Sequence, residues 1–179
     1  MLAPFNIPDA RMRPMRRLAL VFSILCLSAM PARADFARAV LDYDGGRFDR
    51  ARGEFRLLAE RGHPGAEFML GAMYFYGKGV RRDDQIAAVW FHKSAIKGNA
   101  SGQLAFGSLH IRGLGVRQDL VKAYAWLTVA SNHGIAGLQQ QAVALRDEAA
   151  QLMRPDEIAD ARRWAAGFKA KPARLTLDK

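Results

Sequence analysis

The chain has 179 residues, with 27 Lys+Arg against 17 Asp+Glu, a formal net charge of +10 and a single cysteine. One cysteine excludes an intramolecular disulfide framework, and the basic residues are dispersed, without the clustered Lys/Arg and interleaved aromatics of a nucleic-acid-binding stripe. The spread-out charge is expected to serve solubility and a loose attraction to anionic envelope surfaces, and nucleic acid is not an expected partner.

Residues 1–34 read as an N-terminal extension followed by a secretory signal peptide. The basic stretch MRPMRR (12–17) precedes the apolar run LALVFSILCLSAM (18–30), which is short for a bilayer span. Ala32 and Ala34 then occupy the small positions a signal peptidase requires. Cleavage near Ala34-Asp35 predicts a periplasmic or secreted mature chain; an uncleaved anchor is the alternative, and Met12 and Met15 are alternative starts. Cys26 lies inside the apolar run, and the bulky Leu25 before it argues against lipoprotein-type cleavage. The mature chain is therefore expected to have no thiol nucleophile and a net charge of about +6.

Beyond residue 34 the sequence repeats itself. Gly62, Gly98 and Gly134 fall 36 residues apart. The same offset pairs Gly71 with Gly107, Gly77 with Gly113, Gly79 with Gly115, Asp83 with Asp119, Ala87 with Ala123 and Trp90 with Trp126. A fixed period of this size marks supersecondary units that bury their apolar faces only by stacking. The period divides the chain into a degenerate first unit over 36–62, repeats over 62–97 and 98–133, capping helices over 134–168 and a basic disordered tail over 169–179.

In the degenerate unit a first helix, a Gly45-Gly46 turn and a second helix carrying Ala51, Phe55 and Ala59 are expected. In the first full repeat Pro64 suits a first helical turn, and Ala66, Phe68, Met69, Leu70, Met73 and Tyr74 recur at helical spacing up to Tyr76. Gly77 then stops the helix in the left-handed conformation, and Gly79 allows a second bend. Asp83 is the expected N-cap of a helix from Asp84 to about Lys97, whose buried stripe is Ala87, Trp90, Phe91 and Ala95. The motif G-x-G-V-R-x-D thus reads as a helix-to-helix connection; a phosphate loop would follow a strand instead. Gly71 and Gly107 fall in mid-helix, where glycine costs about 1 kcal/mol relative to alanine, so close helix approach is expected there. Trp90 and Trp126 are expected as the large packing partners between units. After Gly134, a long helix over 135–153 and another over 156–168 are expected as end caps.

Ala66, Leu70, Gly71, Tyr74, Gly77, Gly79, Val80, Asp83, Ala87 and Trp90 carry a resemblance to the Sel1-like repeat, a branch of the tetratricopeptide-type α-solenoids. The second unit keeps its glycines with Val116, Asp119, Ala123 and Trp126, while Gly102, Phe106 and His110 replace alanine, leucine and tyrosine. The resemblance implies an all-α fold: a right-handed α-solenoid of antiparallel helix pairs, about eight helices after the signal segment. It also implies a non-enzymatic scaffold or adaptor binding a protein or peptide. Disulfide-rich members are associated with penicillin binding or β-lactam hydrolysis, and the cysteines that staple them are absent from the mature part of this chain. A cell-wall or β-lactam hydrolase with a site between repeats is the alternative.

No catalytic constellation is apparent. His63, His92, His110 and His133 come without a metal-binding motif, and Ser94, Ser101, Ser108 and Ser131 lack a nucleophile elbow. No cofactor or metal is expected. His63 and His133 adjoin boundary glycines, where a side chain that bonds helix C-terminal carbonyls is favoured. In a stacked solenoid the first helix of each unit normally lines the concave face. Setting aside the packing positions leaves Phe68, Ala72, Phe75 and Tyr76 from one unit, and Leu104, Ser108, Ile111 and Arg112 from the next, as candidate peptide-binding residues.

Overall fold

The computed structural model describes residues 31–171, with side chains from residue 35 onward. The expected signal segment lies outside the described residues apart from 31–34, and so does the tail beyond residue 171. The described residues form eight helices and no strand: α1 (Pro31–Asp44), α2 (Phe48–Glu60), α3 (Pro64–Tyr76), α4 (Asp84–Ile96), α5 (Ala100–Arg112), α6 (Leu120–His133), α7 (Ala136–Ala150) and α8 (Pro155–Gly167). From α2 to α7 each helix packs against the next, and α3 reaches α5 while α5 reaches α7. This is the layering of an α-solenoid.

The glycine-rich connections recur with the sequence period. Gly77 (φ 66°) and Gly113 (φ 67°) cap α3 and α5 in the left-handed conformation, where a Cβ would crowd the backbone. The next N–H folds back in both units, Lys78 to the Met73 carbonyl at 2.9 Å and Leu114 to the Leu109 carbonyl at 3.2 Å. The Asp83 N–H donates to the Tyr74 carbonyl and the Asp119 N–H to the His110 carbonyl, both at 3.0 Å. Their carboxylates cap the following helices, accepting from the N–H of Ile86 and of Lys122 at 2.9 Å each. The motif is therefore a helical connection whose aspartate supplies the N-cap.

Two kinds of glycine contact set the packing. In mid-helix, a Cβ on Gly71 would lie 2.5 Å from the Phe91 ring, and one on Gly107 would lie 2.9 Å from Leu127 Cγ. These glycines let the two helices of one repeat approach closely. In the loops, a Cβ on Gly79 would lie 2.5 Å from Phe48 Cβ, and one on Gly115 would lie 1.9 Å from the Asp84 carbonyl oxygen. Phe48 and Asp84 are the first residues of α2 and α4, so each loop rests on the start of the second helix of the preceding unit. The first unit stacks by the same contact as the full repeats, although its own turn is shorter.

Buried polar side chains tie the two helices of a unit together. Glu67, 2% exposed, meets Lys97 Nζ at 2.5 Å, and the same ammonium reaches the Gly62 carbonyl at 3.2 Å. The Ser94 hydroxyl donates to the Pro64 carbonyl at 2.7 Å. In the first unit the buried Asp42 carboxylate accepts from Arg47 at 2.6 Å and lies 3.1 Å from Arg50.

The tryptophans depart from the expected symmetry. Trp126 is buried at 5% exposure, with Phe106, Trp164 and Phe168 around it at centroid distances of 5.7, 4.9 and 5.2 Å. Trp90 is only half-buried against the core of the first unit, with Lys93 Nζ 4.2 Å above its ring. The difference arises because α8 packs on α6 and brings its aromatics onto Trp126. Gly134 departs too: at φ −81° it is not left-handed, unlike Gly62 (φ 84°) and Gly98 (φ 85°), and the chain enters α7 extended. The start of the expected disordered tail is seated, the Lys171 N–H donating to the Ile96 carbonyl at 2.8 Å.

Candidate peptide-binding groove

Seven of the eight expected inner-face residues converge on one groove of about 480 Å³. Phe68, Ala72, Phe75 and Tyr76 come from α3, and Leu104, Ser108 and Arg112 from α5. The last three are spaced i, i+4, i+8, which places them along one helix face. Ile111 does not join them. It packs instead with Leu104, Leu138 and Leu145 against the buried Leu127, Ala130 and Ala142, facing the next helix α7 from the repeat position that Phe75 holds on α3.

Phe91 lies beneath the groove, its ring 5.7 Å from Phe68 and 6.3 Å from Phe75. Phe75 and Tyr76 meet edge to face at 5.0 Å, and Tyr76 remains 65% exposed. The helix α7 supplies a wall through Leu138 and Gln141 and leaves these rings accessible. Leu138, Ala142 and Leu145 recur at i, i+4 and i+7 along α7, the signal by which sequence reasoning could have found this wall. Arg82 leans over Phe75 with its guanidinium 5.6 Å from the ring centroid, held by two hydrogen bonds to Asp84 at 2.9 and 3.0 Å. Arg112 is exposed at the end of α5 and makes no ion pair among the described residues.

The histidines serve the scaffold. His63 caps the N-terminus of α3, its Nδ1 accepting from the Ala66 N–H at 3.1 Å. That corrects the expected C-terminal role, and Asn99 caps α5 at the equivalent position, accepting from Gly102 at 2.8 Å. Burial lowers the His63 pKa, in keeping with a ring nitrogen that must keep its lone pair. His110 is buried against Phe106, and desolvation likewise lowers its pKa. His133 Nδ1 lies 2.9 Å from the Val129 carbonyl near the end of α6. His92 stands at the edge of the aromatic cluster, 4.9 Å from Phe106. Ser131 bonds the Thr128 carbonyl at 2.8 Å, while Ser101 and Ser108 line the groove. Among the described residues no three His, Cys, Asp or Glu side chains gather to hold a metal ion, and no helix is long and apolar enough to cross a membrane.

The Sel1 repeat family model matches residues 64–99 and 100–135. The chain carries two Sel1 repeats. The matched segments begin at the first residues of α3 and α5, two residues after the boundary glycines that sequence reasoning used. The chain is similar to a solved protective antigen of uropathogenic Escherichia coli strains that displays an SLR fold, at 26% identity and a TM-score of 0.71 over 88% of this chain. It spans about a third (34%) of that antigen's length. It is also similar to a Sel1 repeat protein from Oxalobacter formigenes, at 27% identity and a TM-score of 0.56 over 73% of this chain and 99% of that one. No curated protein sequence matches the chain. Sel1 repeats are helical repeats that generally mediate protein–protein interaction, and the groove belongs to the pair found here.

Proposed function

We propose that this protein is a non-enzymatic adaptor that holds a peptide segment of a partner protein in the groove between its two Sel1 repeats. The observation that carries the reading is the convergence of Phe68, Phe75, Tyr76 and Leu104 on one open apolar groove, with Tyr76 65% exposed. A large exposed aromatic beside half-buried ones is the surface an apolar anchor side chain would cover. Ser101, Ser108, Gln141 and Arg112 supply the polar contacts, and among the described residues no histidine or carboxylate lines the groove to act as a base. That composition supports binding over turnover.

The protein acts outside the cytoplasm in this reading, supported by the basic stretch, the apolar run and the Ala32/Ala34 pair before Asp35. Sequencing the N-terminus of the exported protein tests it: a start at Asp35 supports export with cleavage, and retention in the cytoplasm overturns it. The binding role is tested by selecting peptides from a random display library on the purified protein and repeating the measurement with Phe75→Ala/Tyr76→Ala. Selected peptides that lose affinity for this variant support the reading. Failure to select any peptide, or equal affinity for the variant, overturns it.

A further inference from the structure

We infer that the groove selects peptides in which a carboxylate side chain lies next to the apolar anchor. This rests on the peptide-binding reading above and adds a charge requirement to it. Of the described residues lining the groove, Arg112 alone is charged at neutral pH, and no Asp or Glu is among them. Arg82, which leans over Phe75 from outside, already spends two donors on Asp84 at 2.9 and 3.0 Å. Arg112 has no such partner among the described residues and stands exposed at the last position of α5.

The consequences for a guest follow from desolvation. A peptide covering Phe75 and Leu104 removes water from the neighbourhood of Arg112. A neutral guest leaves that guanidinium partly desolvated and uncompensated, and a basic guest adds repulsion, whereas a carboxylate supplies charge-assisted, bidentate acceptance. Among the described residues no carboxylate of the groove competes for Arg112, and none is available to a cationic guest. The occupant this fits is an acidic peptide with an aromatic or large aliphatic residue beside its acidic one.

The test uses the full chain and synthetic peptides made from sequences selected on a random display library. Each peptide is compared with its Glu→Gln or Asp→Asn counterpart by calorimetry, on the wild type, on Arg112→Gln and on Arg82→Gln. The expected result is enrichment of Asp or Glu next to the apolar anchor, with roughly tenfold weaker binding when either the carboxylate or Arg112 is neutralised. Neutralising both should cost no more than neutralising one, and Arg82→Gln should leave the comparison unchanged. Selected peptides that depend on Phe75 but bind equally well as acid and amide would overturn the charge requirement and leave the groove reading standing. Peptides indifferent to Phe75→Ala would overturn both. Thermal melts showing wild-type stability for Arg112→Gln, expected of an exposed position, exclude misfolding as the cause of a loss.

Discussion

Gly113 and Gly115 have nearly the same backbone, φ 67° and 66°, and quite different surroundings. At Gly113 an added Cβ would find its closest neighbours, Gln118 Cβ and N, at 3.4 Å, an ordinary contact. The Gly113→Ala change should therefore cost only the left-handed conformation, about 1–2 kcal/mol. At Gly115 the same atom would sit 1.9 Å from the Asp84 carbonyl oxygen, where real Cβ atoms stay beyond about 3.0 Å. Because the obstacle is the backbone at the start of α4, the two units must part by about 1 Å, an overpacking cost of about 1–3 kcal/mol on top of the conformational one. Gly115→Ala should thus exceed Gly113→Ala by about 2 kcal/mol, or roughly 6–8 °C in Tm for a domain of this size. Urea and thermal melts followed by far-ultraviolet circular dichroism measure both. Equal losses for the two variants would refute the claim that the second glycine is needed for stacking as well as for its dihedral angle.

Three further outcomes follow from the packing. Lys97→Met leaves Glu67 buried without its cation and should destabilise by about 3 kcal/mol, while Glu67→Gln/Lys97→Met, which copies the Gln103 of the next repeat, should recover part of the loss in a urea titration. Trp126→Ala should cost about 3–5 kcal/mol and Trp90→Ala distinctly less, since Trp126 is 5% exposed and Trp90 only half-buried. His63→Asn should keep the cap, as Asn99 does, but change the response to acid. Because burial holds the His63 pKa below its ordinary value of 6.5, its contribution is full above that pH and is lost as pH falls through the lowered folded value. Melts at neutral pH should then differ little between wild type and variant, and at about pH 5 the variant should be the more stable; a wild type as acid-resistant as His63→Asn contradicts this.

The period of 36 residues made the architecture legible, because each repeated residue has a local task that its type reveals. A glycine followed two positions later by another and then by an aspartate can stop one helix, turn and cap the next. The positions that misled are those whose environment is set by elements outside the period. Trp90 and Trp126 occupy the same place in their repeats, yet only the second is covered by Trp164 and Phe168 of the C-terminal segment. His63 reads as a helix-ending residue beside Gly62 until it is aligned with Asn99, a plain N-cap. Seven groove residues were legible from helical spacing, but Ile111, at the repeat position of Phe75, packs toward Leu138, Ala142 and Leu145 of α7, which begins one period after α5 but lacks the repeat's motif residues. The walls from Leu138 and Gln141 escaped the sequence because α7, without those motif residues, reads as an end cap and not as a further first helix of the stack.

The central claim is that the space between the two Sel1 repeats is where a partner peptide lies. Amide hydrogen exchange of the full chain, measured with and without a selected peptide, tests it most directly. Slowed exchange confined to α3, α5 and the first half of α7 is the predicted result. Protection that maps instead to α1, α2 or the outer face of α8, with none around Phe75, Leu104 and Leu138, would contradict it.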